Sequence, residues 1–125
     1  MIKIKTLILS VVMVLPIWAE TTIHREGYEK ALYLIRKKAP KAKLILALST
    51  PIQSTGNENK LNPRLDERNR MVREVAQKYG ATINDLHGIS KDRPEHYKDP
   101  YHFKPVAIDL QGKRVGETVK KALAQ

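Results

Sequence analysis

Leu44-Ile45-Leu46-Ala47-Leu48 runs into Ser49-Thr50-Pro51, and this stretch decides the fold. Five consecutive apolar residues without polar alternation suit a strand covered on both faces, the usual condition of a parallel sheet. The Ser-Thr-Pro exit ends it. Upstream, Tyr28, Ala31, Leu32 and Ile35 recur at helical spacing, and that helix should stop before Ala39-Pro40, because proline disfavours helix in its predecessor. Downstream, Ser54 to Asn62 reads as a polar loop rich in Gly, Asn and Ser. A second helix is expected from about Pro63, with Leu65, Val72, Val75, Ala76 and Tyr79 on one face and Gly80 as its stop. Ala81-Thr82-Ile83-Asn84 is a second strand candidate. After a loop from Asp85 to Lys104, Pro105 opens a last helix whose inward face is expected to hold Ile108, Val115, Val119 and Leu123. The order helix–strand–helix–strand–helix predicts an α/β fold with about two parallel strands and about three helices.

The N-terminus is different in kind. Lys3 and Lys5 precede an uncharged apolar run from Thr6 to Ala19, too short to span a bilayer comfortably but matching the basic and apolar parts of a secretory leader. Residues 1–19 are therefore expected to be a signal peptide cut near Ala19, although Ile17 stands where a small side chain is preferred. An uncleaved anchor or a buried helix is the alternative. Secretion or a periplasmic location follows from the leader reading, with no stable membrane span.

At 125 residues the chain is one domain at most, and 42% hydrophobic with 29% charged residues is a globular balance. It holds no cysteine, which excludes disulfides, thiol chemistry and an acylated-cysteine anchor. The net charge of +10 suits anionic glycans or a membrane face in an exported protein. The basic residues are scattered without interleaved aromatics, so a solvated surface explains them and no nucleic-acid partner is expected.

The chemistry-bearing stretch is Asp99-Pro100-Tyr101-His102-Phe103. A carboxylate three residues before a histidine can fix the imidazole tautomer and stabilise the imidazolium, leaving the other ring nitrogen to take a proton from a nucleophile. The plain alternative is a surface turn begun by Asp99-Pro100. His96, Asp99 and His102 also have a spacing compatible with zinc, but no fourth ligand is evident, so neither metal nor cofactor is expected. His24 and His87 read as solvent-facing or capping residues. Ser49 and Thr50 would satisfy backbone groups at the strand exit. Tyr97, Tyr101 and Phe103 either wall a pocket or pack the loop, and packing is the simpler account.

The block Asp99 to Pro105 resembles the D-x-x-H-F motif before the terminal helix of the SGNH/GDSL hydrolase superfamily. Other segments are similar in order. The strand into Ser49-Thr50-Pro51 resembles that family's strand ending in Thr-Thr-Pro, and Ile83-Asn84-Asp85-Leu86 resembles its strand ending in Asn-Asp-Leu. Asn69, Arg70 and Met71 fall in a helix like the one between those strands. The resemblance covers roughly Thr22 to Leu123 and only the C-terminal half of a family domain, a partial flavodoxin-like three-layer fold. It implies His102 as general base and Asp99 as its orienting partner in ester hydrolysis. It also implies a nucleophile in a Gly-Asp-Ser block and oxyanion donors from two further blocks, none of which is present here. Ser10, Ser49, Ser54 and Ser90 do not lie in such a context.

The expectations are thus a truncated hydrolase-like domain over residues 20–125 that keeps Asp99 and His102. Its substrate would be a carboxylic ester such as an acetylated glycan. A complementing Ser-bearing fragment or a homo-oligomer would be its partner, and a non-catalytic remnant with a basic binding surface is the alternative. The strand at Leu44–Leu48 should lie on an open edge, a recognised pairing liability.

Overall fold

The computed structural model describes residues 9–10, 21–53 and 62–125. Three parallel strands form one sheet in the order β1 (Leu9–Ser10), β2 (Leu44–Ala47), β3 (Thr82–Asn84). Four α-helices accompany them: α1 (Thr21–Lys38), α2 (Asn62–Tyr79), α3 (Leu86–Ser90) and α4 (Pro105–Leu123), with a 3-10 turn at Pro94–His96. This is the expected mixed α/β arrangement. β2 and β3 pair over three residues, Ile45 with Thr82 through Ala47 with Asn84.

Alternation along β2 divides the molecule into layers. Leu44, Leu46 and Leu48 are buried in one cluster with Leu32 of α1 and Met71, Val72, Val75 and Ala76 of α2. Ile45, of opposite parity, is buried outside that cluster, on the face where α4 packs against β2 and β3. The helix–strand junctions are fixed locally. Gly80, at φ +62°, ends α2. Ala81 N–H reaches Ala76 O at 2.8 Å and Gly80 N–H reaches Gln77 O at 3.4 Å, the paired bonds of a Schellman stop. Arg36 ties α1 to the same corner, donating to Ala42 O and to Tyr79 O at 2.9 Å each.

Three differences from the sequence reading have physical causes. The segment expected as plain loop contains α3, because Asp85 Oδ1 accepts the Gly88 N–H at 2.8 Å and caps a turn too short to show periodicity. The face of α4 is also different. The sheet takes its small residues, Ala107, Thr118 and Ala122, while Ile108, Val115 and Leu123 remain 56%, 39% and 48% exposed. A helix lying close to a sheet needs small contact residues, so the bulky side chains fall on its flank. Finally, β2 does not stand entirely open: Leu9 pairs with Leu44 and Ser10 with Ile45. The rest of the expected leader and the loop carrying Ser54 lie outside the described residues.

Candidate active site

The Asp99–His102 turn stands at the C-terminal end of the sheet, the end at which open α/β sheets place their sites. Its frame is a short hairpin. Tyr97 and Phe103 form an antiparallel bridge, their rings 4.4 Å apart and tilted by 42°. Lys98 N–H donates to His102 O and Lys104 N–H to His96 O, each at 2.8 Å. Two bonds dock this hairpin on the β2 exit: Tyr97 Oη donates to Pro51 O at 2.6 Å, and Gln53 N–H donates to Pro100 O at 3.0 Å. Burial raises the Tyr97 phenol above its ordinary pKa, so it stays a donor at neutral pH. The aromatic pair therefore packs the loop, and Tyr97 is buried.

Within this frame Asp99 Oδ1 accepts the backbone N–H of Tyr101 and of His102, both at 2.9 Å. His102 Nδ1 lies 2.9 Å from Asp99 Oδ1 and 2.8 Å from Oδ2. The Tyr101 N–H, then the His102 N–H, and then the imidazole pull the Asp99 carboxyl below its ordinary value. An ionised carboxylate only accepts, so Nδ1 carries a proton, and in the neutral form of the ring the lone pair is on Nε2. The His102 side chain is 75% exposed, which leaves that nitrogen accessible. Such a pair can accept a proton from a neighbouring hydroxyl or water.

The serines do not join this pair in the described residues. No serine hydroxyl there bonds to the His102 ring. Ser90 is buried and accepts from Gln111 Nε2 at 3.4 Å. Ser49 is held through its backbone. His96 is buried, and no His/Asp/Glu cluster suited to a metal occurs among the described residues.

A second polar group adjoins the hairpin and was not read from the sequence. Asn69, buried on α2, accepts the Ser49 N–H and donates to Ser49 O at 2.9 Å each, completing the strand exit as another strand would. Its Nδ2 is also 3.1 Å from His87 Nδ1. His87 is therefore tucked inward, contrary to the solvent-facing expectation, with Nε2 3.8 Å from Asp66 Oδ1. Its Nδ1 also lies 3.1 Å from Ser49 O, so the ring sits against the same strand exit that Asn69 holds. His87 and Asp66 border a cavity of about 310 Å³ also lined by Pro51, Ile52, Lys91 and Asp92. The available signal was Asn69 itself, a polar residue on the apolar face between Leu65 and Val72.

No protein-family model and no curated relative matches the sequence. Solved structures do match in fold. The esterase domain of the ORF1 protein from the zebrafish ZfL2-1 retrotransposon is similar with a TM-score of 0.71 at 15% identity, over 82% of this chain and 61% of that one. A GDSL-like lipase from Parabacteroides merdae gives 0.69 at 13% identity, over 81% and 50%. LAE5, an alpha/beta hydrolase from the metagenome of Lake Arreo, Spain, gives 0.56 at 24%, over 75% and 46%. The chain thus shares an SGNH/GDSL hydrolase-like fold with these structures, and it spans only 46–61% of the length of these three.

Proposed function

We propose that this chain carries the acid–base arm of an SGNH-type carboxylic-ester hydrolase, with His102 as general base and Asp99 as its orienting carboxylate. The nucleophile and oxyanion donors would come from outside these 125 residues. The observation that supports the reading is the 2.8 Å contact between His102 Nδ1 and Asp99 Oδ2, on a fold shared with esterases. In the assembled site His102 Nε2 takes the proton of a hydroxyl held within about 3 Å as that hydroxyl attacks the ester carbonyl, then returns it to the leaving alkoxide. Asp99 remains ionised and steadies the imidazolium. Acetylated glycans are the substrate class that suits an exported, basic chain. A Ser-bearing complement would supply the rest.

The chain by itself should then not turn over esters, since loss of one oxyanion donor alone costs about 10²–10³ in rate. Alone, it should hydrolyse p-nitrophenyl acetate no faster than free imidazole at the same histidine concentration, and a fluorophosphonate should not label it. Stoichiometric labelling of Ser49, Ser54 or Ser90 that disappears in His102→Ala would overturn the incomplete-site reading, because a local serine would then hold the role. A second reading, a non-catalytic interaction module, is favoured by one feature: Asp99 Oδ1 already serves two backbone N–H groups as a turn cap.

A further inference from the structure

The exposed stripe of α4 is not a random scatter of apolar side chains. Ile108, Gly112, Val115, Val119 and Leu123 follow one another at intervals of three or four along the helix, so they form one line of contact. Gly116 borders that line. A Cβ added at Gly112 or Gly116 meets nothing within 4 Å, so both are open slots. The stripe lies about a quarter-turn round the helix from Ala107, Thr118 and Ala122, which face the sheet. It therefore presents sideways, where a second helix on the same sheet face would lie.

Among the described residues no helix takes that place. α1 and α2 pack against each other and on the Leu44–Leu46–Leu48 side of β2. α1, the next described element after β1, lies on the opposite layer from α4.

We propose that the α4 flank is a self-association surface, on which two copies of this chain pair α4 antiparallel about a two-fold axis. This inference does not depend on the hydrolytic reading. The sequence order of the stripe is self-complementary. With the axis between Val115 and Gly116, Val119 enters the slot at the partner's Gly112, and Val115 enters the slot at the partner's Gly116. Ile108 meets the partner's Leu123 at each end. Glycine slots permit a close interaxial approach, of about 8 Å. Charge agrees with the same register. Asp109 and Lys120 are both exposed, lie on the outer border of the stripe, and have no ion pair among the described residues. Same-border residues face each other across an antiparallel two-fold pair. That places Asp109 beside the partner's Lys120, twice. In a parallel two-fold pair the same border of the two helices lies on opposite sides, so Asp109 and Lys120 would not meet.

One helix pair buries less than the roughly 1,200 Å² of a standard stable interface. The dimer is accordingly weak, with a dissociation constant on the order of micromolar. Sedimentation velocity of the 125-residue chain over a concentration series should show a monomer–dimer equilibrium. Val115→Arg, at an exposed position, should weaken it by at least about 10-fold, as loss of a central contact does, with an unchanged circular dichroism spectrum. Asp109→Lys and Lys120→Asp should each self-associate less than wild type. Mixed in equal amounts they should dimerise again, because each Lys–Lys or Asp–Asp clash becomes an opposite-charge pair. A wild-type chain that stays monomeric leaves the stripe to another partner and overturns the proposal. So does a dimer indifferent to Val115→Arg, or a mixture no tighter than its components.

Discussion

Asp99 gathers three donors on one side chain, and the order of their effect matters: the Tyr101 and His102 amides first, the imidazole after them. Its folded pKa is depressed. The stability it contributes is therefore present above the ordinary carboxylate value of 3.8 and is lost as pH falls through the lower folded value. A carbon-detected NMR titration should place the Asp99 carboxyl midpoint below 3.8, and the hairpin amides of Tyr101 and His102 should shift over the same acid range. In Asp99→Ala the His102 ring should lose its preference for the Nδ1–H tautomer, visible in its imidazole nitrogen shifts. A wild-type ring already equally populating both tautomers would remove the orienting role. This contact was legible in the sequence because it closes within one turn, from residue 99 to residue 102. The Asn69 grip on Ser49 was not legible. It joins residues twenty apart through a helix orientation that only the packed core sets. His87 follows Asn69 inward for the same reason.

At the scale of elements, stops were easier to read than faces. Gly80 marks the end of α2 in the sequence, and its φ of +62° explains why. A Cβ there would come only within 3.9 Å of Arg36 Nη2, so space is not the obstacle; the left-handed backbone is. Gly80→Ala should therefore cost about 1–2 kcal/mol. Gly27→Ala should instead gain roughly 0.5–1 kcal/mol, since Gly27 sits inside α1 with open space around it. Urea unfolding of both variants reads the contrast, and equal effects would mean that Gly80 is tolerated for some other reason. The face of α4 misled the reading because hydrophobic periodicity reports an apolar line without reporting what lies against it. Here the sheet claims the line of small residues next to it. β1 was not read for a related reason: two residues of strand inside an uncharged apolar run add no signal of their own.

For the whole molecule, the sheet's weak point is its β1 side. All three strands are parallel, so every pairing depends on a crossover, and the outer one rests on Leu9 and Ser10 alone among the described residues. Removing residues 2–19 should lower unfolding stability by on the order of 1–2 kcal/mol, the worth of a few ladder hydrogen bonds. It should also increase aggregation, because the β2 edge becomes a template for other strands. Urea midpoints and light scattering of the two forms measure this. Unchanged stability and scattering would mean that the β1 pairing adds nothing in solution. The α/β layering itself was legible from the Leu44–Leu48 block. The pairing of β1 was not, since it is a choice among edges that no local pattern encodes.

The distance along the chain between β1 and its partner also sets a clock. Leu9 pairs with Leu44, so during synthesis β1 emerges long before the residue it will meet. At the usual 5–20 residues per second, the delay is roughly 2–7 s. Throughout that interval the apolar run is available to any chaperone or export receptor that binds such segments. Once the ladder closes, Leu9 and Ser10 are engaged elsewhere. The fate of the N-terminus would then be settled by which encounter comes first.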